Sequence, residues 1–299
     1  MALAAGRYDN ATKRNPTDLP LLCRTRRSAF GLPPAAILEY EMIQRSMTNS
    51  RATRAARRLV KRFVRLATAR IYARRPLPSW PPILGRIHGI NVPRGVVPHS
   101  TPMPIGSANI NNLLYLIEKT RHVPGHISEA GVYGGHSLIP MAIYVKQQGL
   151  NKRLYGFDSF EGFAPSVVGD LALGGTNDEW KTPGNMNDVS LEQVSSKAKV
   201  FWLGNVTLVK GYFEATFRGF THLTFSFVHL DCDAYDAYRE CLAFFYPRLS
   251  TGGIILFDEY NDPPWPGCNE AVDEFLADKP EKLQTIALDN YVKYYFVKQ

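Results

Sequence analysis

Short apolar runs alternate with longer segments of helical periodicity along the C-terminal two thirds of the chain. Runs of this length that are rich in Val, Ile and Phe predict β-strands. The five runs are HISEAGV (126–132), RLYGFDS (153–159), NVTLVKG (205–211), LTFSFVHLD (223–231) and GIILFDEY (253–260). The tail LQTIALDNYVKYYFVKQ (283–299) predicts two further strands, and the last of them alternates aromatic and polar residues.

Segments between these strands predict helices. GGHSLIPMAIYVKQQG (134–149) follows the first strand, and GCNEAVDEFLADKP (267–280) ends at a proline. AYRECLAFFYPRLSTGG (237–253) predicts a helix that ends at Gly252-Gly253, where glycine supplies a left-handed cap. Strand–helix alternation is typical of an α/β fold with a parallel sheet covered on both faces. In such sheets ligands bind outside the carboxyl ends of the strands.

Charge is distributed unevenly along the 299-residue chain. Residues 1–100 contain 19 Lys and Arg against 4 Asp and Glu, whereas residues 101–299 contain 16 against 23. The formal net charge of +8 therefore combines a strongly basic N-terminal part (+15) with a mildly acidic body (−7). The Pro-rich composition of residues 74–104 predicts a connector between the two parts. We expect a basic, partly helical extension with its connector over 1–95 and one α/β domain over 96–299.

The segment RATRAARRLVKRFVRLATARIYARR (51–75) contains ten basic residues and no acidic one. Its apolar residues recur at helical spacing and predict a basic amphipathic helix. Three interpretations stay open. The apolar stripe packs on the body while the arginines stay solvated, or the helix lies on an anionic membrane surface, or it meets nucleic acid. The acidic body makes nucleic acid the least favoured partner.

Two kinds of segment are missing from the sequence. No run approaches the roughly 18 apolar residues of a membrane-spanning helix, and the N-terminus lacks the apolar segment of a signal peptide. The four cysteines are too few and too scattered for a disulfide framework or a zinc cluster. They are Cys23, Cys232, Cys241 and Cys268. We expect reduced thiols in a cytoplasmic protein that the basic helix could hold at a membrane surface.

The first candidate site is EAGVYGGHS (129–137), which follows a strand and opens a helix. Glycines at such a turn let the backbone approach a ligand closely, and the helix N-terminus faces that ligand. Gly131, Gly134 and Gly135 do not form G-x-G-x-x-G, so a dinucleotide is not favoured. Glu129 instead suits a cationic ligand such as an amino-acid ammonium. A tight turn without a ligand is the alternative.

The second candidate is GFDSFEG (156–162), in which Asp158 ends the second strand. An acid at this place can accept hydrogen bonds from both hydroxyls of a ribose. An exposed strand-end carboxylate explains Asp158 equally well when it is considered alone. Together with the glycine turn, it indicates a nucleoside ligand.

The third candidate combines FVHLDCDAYDAY (227–238) with LFDEY (256–260). Asp231 ends the fourth strand and Asp258-Glu259 end the fifth, so these carboxylates converge if the strands are neighbours. Converging carboxylates are ligands for Mg²⁺ or a similar hard cation, and without a cation they repel one another. The D-x-D alone is equally typical of an enzyme that uses a sugar nucleotide, and strand-end acids in water are the remaining alternative.

These three candidate segments, in the order in which they occur along the chain, resemble the macrocin O-methyltransferase family (the TylF/MycF type). Its members are metal-dependent S-adenosylmethionine enzymes that methylate sugar hydroxyls. The resemblance covers about 100–280 and rests on E-x-G-V-x-x-G, D-S-F-E-G, D-x-D-x-Y and G-G-x-x-x-x-D-[DE]-Y. It implies a Rossmann-like class I methyltransferase sheet that is mostly parallel, with seven strands and an antiparallel last strand. It also implies a homo-oligomer.

The resemblance assigns roles to matching positions. For S-adenosylmethionine the implied contacts are Glu129, Gly131, Tyr133, Gly134, Ser137, Asp158, Ser159, Gly211, Tyr212 and Asp231. For Mg²⁺ or another divalent cation, the implied ligands are Asp231, Asp258 and Glu259. Asp233 is the implied general base, and Asp236 becomes a surface acid at a helix start. The family usually has Asp-Asp where this chain has Asp258-Glu259, so the third ligand has a longer arm. His136 and His229 lie near the same strand ends, and we expect a structural role for His229.

Three other functions stay open. A D-x-D glycosyltransferase gives no role to the glycine turn or the second acidic pair, and an RNA methyltransferase rarely needs a carboxylate-bound metal. A methyltransferase-like scaffold without catalysis would bind neither cofactor nor metal. For the enzyme we expect a saccharide or small-molecule acceptor, with the Gly-rich segment 164–190 as a lid over it.

Overall fold

The computed structural model of the protein describes residues 59–60, 62–67, 90, 110–165, 184–288 and 292–299. The chain divides into two units, Met1–Leu59 and Val60–Gln299, and the first is described only at Leu59. The domain boundary expected between residues 95 and 96 lies outside the described residues. Most of the expected lid, residues 166–183, also lies outside them.

Strands and helices alternate through the described part of the second unit. The strands are β1 (His126–Ala130), β2 (Leu154–Asp158), β3 (Val206–Lys210), β4 (Phe225–Leu230), β5 (Leu249–Phe257), β6 (Gln284–Ile286) and β7 (Lys293–Val297). The helices are α1 (Ile110–Lys119), α2 (Leu138–Gln147), α3 (Leu191–Val200), α4 (Phe213–Thr216), α5 (Tyr235–Phe245) and α6 (Pro266–Leu276). Two 3₁₀ helices cover Phe217–Phe220 and Tyr246–Arg248.

The strands form one sheet in the order β3-β2-β1-β4-β5-β7-β6. The pairs among β1 to β5 are parallel, and β7 pairs antiparallel with both β5 and β6. The predicted sheet of seven mostly parallel strands with an antiparallel last strand is therefore confirmed. Because β4 and β5 are neighbours, their carboxyl ends meet, and the Asp258 amide donates to the Leu230 carbonyl over 2.9 Å.

Two predicted helix bounds are wrong. Helix α5 ends at Phe245, and β5 already begins at Leu249, so Gly252 lies inside a strand with φ +80° instead of capping a helix. Pro247 explains the early end, because its ring removes a backbone donor and cannot continue an α-helical ladder. Helix α2 begins at Leu138 instead of residue 134, because the glycines before it form the turn.

The core lies against the parallel strands, which bury all or nearly all of their residues in β1, β2 and β4. Phe157 of β2 packs edge-on against Phe217, and Phe217 stacks on Phe244 of α5 with ring centroids 4.1 Å apart. Burial on both sides of the sheet fixes the register of the strands. The residues just beyond the strand ends are therefore held in fixed places.

Part of the predicted basic helix is described. Residues 59–60 and 62–67 are helical, and the rest of 51–75 lies outside the described residues. No helix in the described ranges has the length and apolar character needed to cross a membrane. Cys232, Cys241 and Cys268 are free and buried, and Cys23 lies outside the described residues.

Candidate active site

Two cavities open at the carboxyl ends of the parallel strands. The larger cavity, of about 1130 Å³, extends from the turn after β1 past the ends of β2 and β3 to α5 and α6. The smaller cavity, of about 480 Å³, lies over the ends of β4 and β5 and beside the start of α2. Asp231 lines both cavities, so the two cavities adjoin at this residue.

Most of the predicted site residues line one of these cavities. Gly131, Tyr133, Asp158, Ser159, Gly211, Tyr212, Asp231 and Asp233 line the larger cavity. Ser137, Asp231 and Asp258 line the smaller one, and so do His136 and His229. Glu129, Gly134 and Glu259 line neither cavity. The two glutamates are buried behind the cavity walls, with 0% and 4% of their surface exposed.

Gly131 fits a place that only glycine can occupy. Its φ is +87°, and a Cβ added to it would lie 1.6 Å from the carbonyl oxygen of Asp231. Its amide donates to the carbonyl of Phe157 over 2.9 Å. The turn after β1 thus lies directly against the backbone of Asp231, and this close approach requires a glycine at position 131.

The carboxylate of Asp158 organises the same turn. Its Oδ2 accepts hydrogen bonds from the amides of Val132 and Tyr133, at 2.8 and 2.7 Å, and its Oδ1 accepts one from Phe160 at 2.6 Å. Its backbone carbonyl accepts from the Gly211 amide at 2.9 Å. Asp158 therefore ties the turns after β1, β2 and β3 together. A sheet-end acid in the larger cavity was predicted, but its role in holding the glycine turn was not.

A buried hydrogen-bond network lies beneath the turn. The Oε1 of Glu129 accepts from the Ser137 hydroxyl at 2.5 Å and pairs with His229 Nδ1 at 2.9 Å. Burial raises the pKa of Glu129. Burial also acts to lower the pKa of His229, but the carboxylates of Asp258 and Glu129 outweigh it and raise that pKa to about 10. His229 is 1% exposed and pairs with Glu129, as expected of a structural residue. Its Nε2 also lies 3.4 Å from Oδ1 of Asp258, which belongs to the carboxylate cluster.

The predicted carboxylate cluster is assembled. One oxygen each from Asp231, Asp258 and Glu259 can be chosen so that all three lie within 4.8 Å of one another. Burial and the Asp258 carboxylate raise the pKa of Asp231 to about 7. Burial, Asp233 and Asp231 raise the pKa of Glu259 well above its ordinary value. The negative charges thus oppose one another, which is the electrostatic situation that a bound cation relieves.

Asp258 is the carboxylate in the cluster with cationic protein partners. Its Oδ2 forms an ion pair with Lys293 Nζ at 3.1 Å, and the same Nζ donates to its backbone carbonyl at 2.6 Å. Burial acts to raise the pKa of Asp258, but His229 and Lys293 outweigh burial and lower it. Lys293 lies on β7 and was not predicted, because nothing in the tail sequence connects it to the acids before the antiparallel pairing is known.

Glu259 is held by a buried tyrosine. The hydroxyl of Tyr238 lies 2.5 Å from Glu259 Oε2 and 3.0 Å from the Leu230 carbonyl. The longer arm of Glu259 therefore reaches α5, and one of its carboxylate oxygens lies near Asp231 and Asp258. The hydrogen bond to Tyr238 is thus a contact that the longer side chain of Glu259 makes at a position where the family usually has Asp.

Asp233 does not continue the strand geometry. The alternation of β4 ends at Leu230, and Asp233 takes a left-handed conformation with φ +64°. The chain has therefore left strand geometry before Asp233. Asp231 and Asp233 both line the larger cavity.

Two further side chains that position the turn were missed by sequence reasoning. Lys197 of α3 is buried and donates to the carbonyl of Gly134 at 2.5 Å, and burial is the main cause that lowers its pKa to about 8. Asp188 accepts a hydrogen bond from the Tyr133 hydroxyl at 2.8 Å. Neither residue belongs to a recognisable motif. Only the packing of α3, and of the segment just before it, against the turn identifies them.

The residues fit a hard divalent cation. The donor set consists of carboxylate oxygens, which Mg²⁺ prefers, and the three acids come from the ends of two neighbouring strands. Glu129 Oε2 is buried and makes no hydrogen bond within the described ranges. The acids repel one another, and one buried carboxylate oxygen has no hydrogen-bond donor, so this edge of the sheet suits a charged or polar ligand.

The sheet order, the glycine turn after β1 and the acid at the end of β2 together define a class I methyltransferase. The chain belongs to the macrocin-O-methyltransferase (TylF) family, whose model matches residues 47–296. The resemblance that the sequence motifs indicate is thereby confirmed. The family is one of O-methyltransferases, so the enzyme class of this chain follows from its family.

Individual relatives agree with the family. A relative from Streptomyces olivaceus, the 8-demethyl-8-(2,3-dimethoxy-alpha-L-rhamnosyl)-tetracenomycin-C 4'-O-methyltransferase, is 30% identical over 176 residues. The alignment covers 57% of this chain and 66% of that relative. The mycinamicin III 3''-O-methyltransferase of Micromonospora griseorubida is 29% identical over 183 residues, covering 57% and 68%. The chain thus spans about two thirds of the length of each relative.

Solved structures share the fold. The structure of the O-methyltransferase NovP superimposes with a TM-score of 0.56 at 26% identity, covering 68% of this chain and 84% of that one. The calicheamicin methyltransferase CalS11 gives a TM-score of 0.58 at 19% identity, covering 85% and 96%. The second likeness is informative about the fold alone.

Proposed function

We propose that the protein transfers the methyl group of S-adenosylmethionine to a hydroxyl of a sugar or of a glycosylated small molecule, with a divalent cation at its carboxylate cluster. The observation that carries this proposal is that Asp231 lines both cavities. One cavity then holds the methyl donor and the other holds the acceptor, and the reacting atoms meet beside Asp231. Holding two reactants in contact is the main source of catalysis in an in-line displacement.

The larger cavity suits the donor. Gly131 of the turn lines this cavity, and Asp158 presents a carboxylate to which ribose hydroxyls can donate. Glu129 lies buried beneath the turn and has one oxygen without a hydrogen bond to any described residue. Its position adds negative potential near a ligand that carries a sulfonium and an ammonium.

The smaller cavity suits a polyhydroxylated acceptor. Its lining includes hydrogen-bonding side chains of several kinds, among them His136, Tyr260, Asn261, Asp262 and Lys293. Such a mixture of donors and acceptors can bind the hydroxyls of a sugar ring. The relatives named above are O-methyltransferases of a rhamnosyl-bearing tetracenomycin and of mycinamicin III. Glycosylated secondary metabolites are therefore the acceptor class that we propose.

We assign two roles to the carboxylates of the site, metal binding and proton removal. Asp231, Asp258 and Glu259 would hold Mg²⁺ or a similar cation, which when bound acts as a Lewis acid that favours the ionised form of a hydroxyl. Asp233 takes the hydroxyl proton as general base. The acceptor oxygen forms its bond to the methyl carbon as the carbon–sulfur bond breaks, and S-adenosylhomocysteine leaves with the sulfur electron pair.

Product analysis tests this proposal. The protein is incubated with S-adenosylmethionine, Mg²⁺ and a panel of glycosides, with the matching aglycones as controls. The expected products are S-adenosylhomocysteine and a glycoside whose sugar carries one additional O-methyl group, identified by fragmentation in mass spectrometry. Methylation of the aglycones alone would contradict a sugar acceptor. Thermal stabilisation by nucleotide sugars and none by S-adenosylmethionine would instead support a D-x-D glycosyltransferase.

Replacing Tyr238 with phenylalanine is expected to lower both stability and turnover. The substitution removes the hydroxyl that donates to Glu259 Oε2 and leaves a buried carboxylate less well bonded. We expect the free energy of unfolding to fall by about 1–2 kcal/mol and turnover to fall by about tenfold, as for groups that orient metal ligands. Urea unfolding and steady-state kinetics measure the two effects.

The matched control is Tyr246→Phe. Tyr246 also bonds a glutamate, with its hydroxyl 2.9 Å from Glu281 Oε2, but it lines neither cavity. This variant is expected to lose stability and to keep full turnover. Equal turnover in the two variants would contradict a role for Tyr238 in positioning Glu259.

A further inference from the structure

The described part of the basic segment exposes large apolar side chains. Phe63 is 74% exposed and Leu66 is 55% exposed, and Leu59, four residues before Phe63, is 67% exposed. At about 100° per residue, Phe63 and Leu66 lie within about 60° of each other around the helix. Neighbouring exposed residues of this size form a continuous apolar surface, which soluble proteins rarely leave uncovered without a function. We call Phe63 and Leu66 the apolar edge.

The apolar edge is not the side that holds the helix in place. Val60, Val64 and Ala67 are half buried and recur at spacings of four and three. Their sector is centred about 100° around the helix from the apolar edge. This helix therefore has a covered apolar side and, separately, an open one. No residue in the described part of the chain covers this open side, so a partner can approach it there.

Positive charge lies on one side of the apolar edge. Arg62 and Arg65 are exposed on the same helix, and residues 51–75 as a whole contain ten basic residues and no acidic one. Burial lowers the pKa of His136, and the charges of Lys197 and Arg65 lower it further, which places Arg65 near the smaller cavity that His136 lines. The described part of this helix therefore carries positive charge next to its exposed apolar side chains.

We propose that this helix docks on the surface of an anionic lipid bilayer, with Phe63 and Leu66 inserted among the upper acyl chains and Arg62 and Arg65 at the lipid phosphates. A basic helix with bulky apolar residues on one side is the pattern that binds at such an interface. Lipid phosphates complement the arginines, and the acyl chains remove the apolar edge from water.

Other occupants match this surface less well. A second copy of the same face would bring two basic surfaces together, and the like charges would repel. Nucleic acid would neutralise the arginines but would leave Phe63 and Leu66 in water. A lipid surface is the one partner among these that satisfies the charge and the apolar side chains at once.

Vesicle co-sedimentation with the full-length protein tests the proposal. The probes are vesicles of phosphatidylcholine alone and of phosphatidylcholine mixed with phosphatidylglycerol. Binding to the mixed vesicles is expected to weaken as salt rises. The double variant Phe63→Ser/Leu66→Ser is expected to lose binding by at least about tenfold, and Arg62→Gln by about fivefold. Arg218→Gln, which removes an arginine 79% exposed on the body, is the matched control and is expected to bind as the wild type does.

Thermal unfolding verifies that each variant is folded, which is expected because every substituted side chain is exposed. Equal binding to both kinds of vesicle, or unchanged binding by the double variant, would overturn the proposal. Binding of RNA that survives Phe63→Ser/Leu66→Ser, without vesicle binding, would assign the arginines to nucleic acid. A smaller mass in light scattering for the double variant, without vesicle binding by the wild type, would assign the apolar edge to self-association. Because lipid binding needs no methyl transfer, a failed activity assay leaves this test intact.

Discussion

Replacing Asp231 with asparagine is expected to lower kcat/KM for methyl transfer by at least about 10³-fold while leaving the fold intact. Asp231 lines both cavities, and one of its carboxylate oxygens lies in the donor cluster with Asp258 and Glu259. Removing its charge takes away both a metal ligand and negative potential at the reacting atoms, and single electrostatic groups of this kind contribute about 10²–10³ each. Because burial and Asp258 already raise the pKa of Asp231 to about 7, its negative charge is not a source of stability.

Kinetics and thermal unfolding together test this prediction. Asp258→Asn is expected to behave in the same way in kinetics. The control is Asp278→Asn, which removes a carboxylate whose side chain is 79% exposed and which lines neither cavity. That variant is expected to keep its activity. An Asp231→Asn protein that is folded and retains more than a tenth of the wild-type kcat/KM would contradict the place we give Asp231 in the reaction.

Gly131→Ala is expected to be the most destabilising single substitution of a glycine at the site. The new Cβ would lie 1.6 Å from the Asp231 carbonyl oxygen, a distance that only movement of the backbone can relieve. The φ of +87° adds strain for any residue with a side chain, of the order of 1–3 kcal/mol. We expect the free energy of unfolding to fall by at least about 3 kcal/mol, with loss of S-adenosylmethionine binding.

Gly204→Ala is the matched control for this variant. No atom lies within 4 Å of a Cβ added to Gly204, and its φ is outside the left-handed region. The free energy of unfolding is therefore expected to change by less than about 0.5 kcal/mol. Urea unfolding measures both variants, and calorimetric titration measures their affinity for S-adenosylmethionine. A Gly131→Ala protein as stable as Gly204→Ala would contradict the close packing of the turn against the Asp231 loop.

The sequence predicts the acids of the site well because parallel strands bring their carboxyl ends to one edge. Asp158, Asp231 and Asp258 each follow an apolar run, so the α/β alternation alone is enough to group them. The strand bounds agree with the structure to within a few residues for the same reason. These predictions depend on local pattern and on one rule of topology, and both are visible in a single chain.

Long-range packing determines what the sequence does not predict. Lys293 reaches Asp258 only because β7 inserts antiparallel between β5 and β6. Tyr238 reaches Glu259 because α5 packs over the sheet, and in the sequence it is simply an apolar position of that helix. The predicted end of helix α5 at Gly252 is wrong because a glycine can also lie within a strand, as Gly252 does. Pro247 is the better indicator of where this helix ends.

The dependence of methyl transfer on a divalent cation tests the central claim most directly. The wild-type protein is treated with EDTA, desalted and assayed with S-adenosylmethionine and a glycoside acceptor, with and without added Mg²⁺. We expect S-adenosylhomocysteine formation to fall to the background rate after EDTA and to return when Mg²⁺ is added. S-adenosylhomocysteine formation that continues undiminished in EDTA would contradict the assignment of Asp231, Asp258 and Glu259 as ligands of a catalytic cation.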